Sequence, residues 1–124
     1  MIIISRKILE DMLNFARLNH PKEIILLLRG TLSRKQLVIT EQLIPPFSMG
    51  GRGFAEFRPN MLPMDFTIMG TAHSHPVGSH RPSPTDLNHF YSKVMLIMAA
   101  PYTLDSIGLY NSRGEQLEFV LEQQ

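Results

Sequence analysis

His73 and His75 are separated by a single serine, and Asp86 follows eleven residues after the second histidine. Alternate residues of a strand point to the same side, so a strand here offers both imidazoles to one point. The stretch between His75 and Asp86 contains Pro76, Gly78, Pro82 and Pro84, residues that favour a fixed turn over a loose excursion. A chain that doubles back there brings the Asp86 carboxylate to the two imidazoles. Two imidazoles and one carboxylate form a donor set that zinc accepts. A fourth position is left for water, as in a catalytic site and unlike a closed structural one. Water activated in this way needs a base. Glu23 stands at the edge of an apolar run, where a carboxylate is costly without a partner. Near the metal it could take the water's proton and pass it to a leaving amine. Ser83, three residues before Asp86, offers a hydroxyl to the oxyanion of a tetrahedral intermediate.

Each of these features also has a plainer reading. Ser83-Pro84-Thr85-Asp86 spells a helix start, with serine as cap, proline in the first turn and an acid three residues after the cap. A helix start can still present its Asp to a metal. A His-x-His pair in a strand is commonly incidental, and Glu23 alone is an ordinary solvated strand end. It is the combination that points to chemistry. The other histidines fit less well. His80 lies in the connecting turn and is expected to be exposed, where it could touch a substrate. His89, three residues after Asp86, falls on a neighbouring helix face. It is expected to pack, because a fourth protein ligand would close the site. His20 reads as a helix-end residue before Pro21.

The elements that must position these groups follow from periodicity. Ile2–Ile4 reads as a strand. Ser5 caps a helix running to about Leu18, with Ile8, Leu9, Met12, Leu13 and Ala16 in one apolar stripe. Ile24–Leu28 is a continuous apolar run suited to a strand buried on both faces. Arg29-Gly30 and Ser33–Lys35 have turn character, and Gln36–Ile44 is a partner strand. Pro45–Asp65, with four prolines and three glycines, reads as a long irregular loop with one short strand at Phe54–Phe57. Phe54, Phe57 and Met61 there are candidate contacts for an extended substrate. Gly50-Gly51-Arg52-Gly53 does not join a strand to a helix and is not a phosphate loop. Phe66–Met69 resumes as a strand leading to the histidines. Pro84 to about Ser92 is a helix, Val94–Ala100 and Ile107–Tyr110 are strands, Asn111–Gly114 is a hairpin turn, and Glu115–Leu121 closes the sheet. The expected fold is α/β (α+β): a single domain over 1–124, one mixed sheet flanked by helices.

Composition limits the partners. Lys plus Arg is 12 against 11 for Asp plus Glu, so no basic field draws nucleic acid or anionic lipid. With no cysteine, disulfide scaffolds, thiolate nucleophiles and sulfur-ligated zinc are excluded. The 124 residues cannot build a barrel amidohydrolase, which needs about 250. No targeting segment or membrane span is expected, and the location expected by default is cytoplasmic.

The run His73-x-His75, seven residues, Ser83, two residues, Asp86, with Glu23 upstream, resembles the JAMM motif of the MPN+ (JAB1/MPN/Mov34) metalloprotease family. Gly70, Pro76, Pro82-Ser83, Asp86-Leu87 and Pro101-Tyr102 add to the likeness, which spans most of the chain. The resemblance implies one Zn2+ per chain held by His73, His75 and Asp86, with Glu23 as general acid/base and Ser83 steadying the transition state. Glu10 and Glu41 are rivals for the base, one mid-helix and one beyond the buried strand. The implied fold is similar to that of cytidine deaminases. The implied substrates are the C-terminal tails of ubiquitin-like or sulfur-carrier proteins, cleaved at isopeptide or peptide bonds. Compact archaeal and bacterial members are the most similar. A non-enzymatic scaffold of the same fold, a DNA-linked relative, and a peptidase for small peptides or adducts are the alternatives.

Overall fold

The computed structural model of the chain describes residues 1–45 and 65–123. Strand β1 (Ile2–Ser5) runs directly into helix α1 (Arg6–Asn19), because the Ser5 hydroxyl accepts the Ile8 N–H and caps the helix. The apolar stripe of α1 is buried at Leu9, Met12, Leu13 and Ala16. Strands β2 (Ile25–Ser33) and β3 (Gln36–Leu43) form a hairpin turned by Arg34 and Lys35, both at positive φ. Then follow β4 (Ile68–His75), the one-turn helix α2 (Pro84–Asn88), β5 (Val94–Ala99), β6 (Ile107–Tyr110), β7 (Gln116–Leu117) and β8 (Val120–Glu122).

These strands make one mixed sheet in the order β7-β6-β5-β4-β2-β3-β1-β8. β1 is parallel to β3 and β8, β4 is parallel to β5, and the other pairs are antiparallel. The two edge strands are separated only by Glu118 and Phe119. Three peptide steps reach at most about 11 Å, so the sheet must curl until its edges nearly meet. The main core lies between α1 and one face, where Leu26, Leu28, Ala72, Leu96 and Met98 meet the α1 stripe. The other face buries Leu27 and Ile68, and beside them Met95, Ile97 and Tyr110. All six residues of β5 are buried, as expected of a continuous apolar run at the centre of a sheet.

The structure corrects several expectations. Arg29-Gly30 is not a turn but a bulge inside β2. Gly30 is required there because a Cβ would lie 1.9 Å from the Val38 carbonyl oxygen. The strand before the histidines begins at Ile68 rather than Phe66, since the Asp65 side chain turns the chain by accepting from the Thr67 N–H. Helix α2 ends at Asn88, four residues short of Ser92, because residues 89–93 must return the chain to β5 beside Gly70. Ser92 makes that return at φ 67, its hydroxyl donating to the Ile68 carbonyl. The closing strand is two strands, β7 and β8, on opposite edges of the sheet. The expected short strand at Phe54–Phe57, the candidate contacts Phe54, Phe57 and Met61, and Gly50–Gly53 lie outside the described residues. Among the described residues no helix is long and apolar enough to cross a membrane.

β4 carries both histidines, and its seating depends on Gly70. A Cβ at this position would lie 2.0 Å from the Val94 carbonyl oxygen, a backbone atom with no room to yield. Gly70→Ala is expected to destabilise the protein by roughly 1–3 kcal/mol through overpacking. Urea unfolding measures this, and an unchanged midpoint would show that β4 and β5 have room to separate.

Candidate metal centre

Register brings the site together. Ile25 pairs with His73 across the antiparallel β2–β4 ladder. One step on, the Ile24 N–H donates to Ser74 Oγ at 2.9 Å and the Ser74 N–H to the Ile24 carbonyl at 3.1 Å. Glu23, the next residue, therefore falls opposite His75. Because strand side chains alternate, Glu23, Ile25, His73 and His75 belong to one face, while Ser74 is turned to the other. Ser74 is wholly buried, and its hydroxyl satisfies an N–H that would otherwise be orphaned. It pins the strand end that carries Glu23.

Asp86 arrives from α2. Ser83 caps this helix in a reciprocal box: the Asp86 N–H donates to Ser83 Oγ at 3.0 Å, and the Ser83 N–H donates to Asp86 Oδ2 at 2.8 Å. The same Oδ2 accepts from His75 Nε2 at 3.0 Å, and Oδ1 lies 3.7 Å from His73 Nδ1. His75 Nδ1 faces the Ser79 carbonyl at 2.8 Å. The two imidazole rings meet edge-on with centroids 5.2 Å apart. The side chains of His73, His75 and Asp86 are 13%, 15% and 16% exposed, so the cluster is nearly dry yet open to one side.

The protonation states are ordered by position. Burial drives the His73 imidazole down to about 4, despite the Asp86 charge, so it is neutral at ordinary pH. His75 moves the other way, raised chiefly by its hydrogen bond to Asp86. Acceptors face both of its ring nitrogens, an arrangement that favours the protonated ring. Burial would raise Asp86, but the hydrogen bonds from His75 and the Ser83 N–H hold it well below the usual carboxylate range. Burial raises Glu23, only partly offset by His75. A half-buried carboxylate titrating above its ordinary value is suited to proton transfer.

The ligand-type atoms of His73, His75 and Asp86 all lie within 4.8 Å of one another. His73 Nε2 is buried and has no hydrogen-bond partner among the described residues. A buried polar atom left this way costs roughly 1–3 kcal/mol. Two nitrogens and one carboxylate suit a borderline-soft divalent ion and leave a coordination position open. These observations fit zinc.

The remaining groups sort clearly. Glu10 is paired with Arg6 on the exposed side of α1, and Glu41 with Arg29 on β2, so neither reaches the cluster. His20 caps α1 and its Nδ1 bonds Tyr102 Oη at 2.7 Å. His89 does not pack as expected; it is exposed and caps the end of α2, facing the Thr85 carbonyl. His80 is not exposed as expected; it is half-buried and bonded to Tyr110. Sequence reasoning missed Ser74, although its phase opposite the two histidines marked it as a polar residue bound for the core. It also missed Ser79, which acts through its backbone carbonyl and so carries no side-chain signal.

Comparisons with known proteins agree with this geometry. Residues 5–110 match the family model described as prokaryotic homologs of the JAB domain. A Haloferax volcanii protein named "Probable metalloprotease" is 37% identical over an alignment of 103 residues that covers 77% of this chain. The chain spans 64% of that relative's length. A solved structure described as "JAMM: a metalloprotease-like zinc site in the proteasome and signalosome" is 31% identical, with TM-score 0.73 and 99% of each chain covered. A JAB1/MPN domain protein from Archaeoglobus fulgidus is 34% identical, with TM-score 0.72, covering 97% of this chain and 98% of its own.

At a pH between the His73 and His75 titrations, metal binding is expected to release one proton. His73 is already neutral there and Asp86 already ionised, whereas a protonated His75 would have to give up its proton to act as a ligand. Zinc affinity should therefore fall as pH is lowered through the His75 titration, by about tenfold per pH unit for the one proton displaced. Calorimetric zinc titrations in buffers of different ionisation enthalpy measure this. Release of two protons at a pH too low for a bound water to ionise would show that His73 is also charged.

Proposed function

The chain belongs to the family of prokaryotic homologs of the JAB domain, and from that membership we propose that it is a zinc-dependent metallopeptidase acting on a ubiquitin-like or sulfur-carrier protein tail. The observation that carries the reading is the convergence of His73, His75 and Asp86 within 4.8 Å, with Glu23 held opposite His75 on the same face. His73, His75 and Asp86 would hold the ion. When bound, zinc supplies a Lewis acid that acidifies a water at its open position and polarises a carbonyl.

The chain's own groups do the rest. Glu23, raised by burial, takes the proton of the attacking water as the new C–O bond forms. It returns that proton to the amine nitrogen as the amide C–N bond breaks. Ser83 Oγ uses a lone pair to accept the Asp86 N–H, so its own O–H remains to donate to the oxyanion. Ser79 holds the second proton of His75 on Nδ1 and so leaves Nε2 for the metal. The family resemblance supports the substrate class, with residues 1–124 read as one domain. A scaffold of the same fold would not need Glu23 beside a complete ligand set, and that juxtaposition favours the enzyme.

Incubation with ubiquitin-like fusions, with and without a chelator, tests the reading. Cleavage that stops on chelation and returns with zinc is expected; cleavage indifferent to the chelator would sink it. Glu23→Gln should keep zinc and lose turnover, and His75→Ala should lose both. A Glu23→Gln protein that cleaves normally would remove the assigned base. Ser83→Gly keeps most of a helix cap, since glycine weakens capping by only a few tenths of a kcal/mol. It should still slow turnover by roughly two to three orders of magnitude if the hydroxyl is the oxyanion donor. An unchanged rate leaves Ser83 a cap alone.

A further inference from the structure

Residues 76–83 join β4 to α2 and shape the metal centre mainly through their backbone. The Ser79 carbonyl accepts from His75 Nδ1 at 2.8 Å, and the Ser83 N–H donates to Asp86 Oδ2 at 2.8 Å. Both bonds depend on where this loop lies. Yet no residue of 76–83 is buried, and Val77, Gly78, Ser79 and Arg81 are exposed. No fully buried side chain therefore anchors the loop, and its apolar packing is limited to half-buried residues such as Pro82 beside Gly114.

One polar contact ties its middle down. His80 Nδ1 and Tyr110 Oη share a hydrogen bond of 2.6 Å. Tyr110 is rooted in β6, 1% exposed, in a cluster with Met95, Ile97 and Phe90. Gly108 lies two residues earlier on the same face of β6. A Cβ there would fall 2.4 Å from Tyr110 Oη and 2.5 Å from His80 Nδ1. The backbone at Gly108 is not in the left-handed region, so no turn demands a glycine. The bonded pair itself occupies the space of the missing side chain. Gly108 pairs with Ile97, and Ile97 with His73, so the pair is anchored two strands away from the strand that bears the ligands.

We propose that His80 and Tyr110 are positioning residues for the metal centre. Their bond, seated over Gly108, clamps loop 76–83 so that the Ser79 carbonyl keeps the His75 proton on Nδ1 and leaves Nε2 for the ion. The inference rests on the zinc reading of the site. Groups that orient a ligating histidine through its other ring nitrogen commonly change metal affinity 10–100-fold. His80 acts one peptide bond removed from such a group, by fixing the carbonyl that precedes it.

Zinc affinity, measured by competition between the protein and a chromophoric chelator for zinc ion alone, tests the clamp without reference to turnover. Tyr110→Phe removes one hydroxyl from a packed ring, and His80→Ala removes the other partner. Each is expected to weaken zinc binding by about tenfold or more, and the double variant should be no weaker than either single one. His80→Asn sets an amide atom near the position of Nδ1 and should restore most of the affinity. Gly108→Ala should weaken binding as the single variants do, by forcing the pair apart. Affinities of the single variants within about twofold of the parent, or additive losses in the double variant, would overturn the clamp. So would a loss of affinity that only follows a fall in the melting temperature of the zinc-free protein, since the pair would then be a packing contact. A parent protein that takes no zinc, or a His75→Ala protein that binds it equally well, would instead overturn the metal site and the clamp with it.

Discussion

A single carboxylate joins the two halves of the site. Asp86 Oδ2 accepts from the Ser83 backbone and from His75 at once, while Oδ1 turns toward His73. Helix α2, which presents it, is five residues long and buries none of them. An isolated helix of one turn does not hold itself together in water. The polar box at its start shapes it, and its place is set by the histidines it faces and by Leu87, half-buried near Gly114. The motif that starts the helix and the motif that would bind the ion share one residue, so each stabilises the other.

The strand side of the centre is built on the opposite principle. β4 lies between β2 and β5, and β5 is buried along its whole length. The histidines ride on this rigid ladder, with Glu23 brought to the same edge by the Ile24–Ser74 hydrogen bonds. A stiff sheet positions His73, His75 and Glu23, and a short capped helix presents Asp86. Protonation follows this division. His73, sunk in the sheet, is neutral because burial disfavours its charge, whereas the carboxylate that comes to meet His75 raises its hold on a proton.

Much of this was legible in the residues themselves. The α1 stripe of Leu9, Met12, Leu13 and Ala16 is buried as its spacing implies, because a helix that short must bury one face. The run through Leu28 and the run from Val94 are central strands, as continuous apolar sequence requires. The common face of His73 and His75 follows from the period of a strand. Errors fell where tertiary constraints outweighed local preference. Gly30 has turn character in sequence, yet it serves a close approach to Val38 inside a strand. Residues 89–92 continue a helical pattern, but the return to β5 beside Gly70 ends the helix first. His80 and His89 exchanged their expected surroundings, since a loop residue's burial depends on the strand beneath it.

The sequence by itself determined which groups could do chemistry and the local geometry of each, because strand alternation and helix capping act over a few residues. It could not decide that Glu23 stands opposite His75, that the chain's last strands lie on opposite edges of the sheet, or that Tyr110 reaches His80. Those are relations between residues from 30 to more than 100 positions apart. Register, sheet curl and packing set such distances, and each is a property of the whole folded chain.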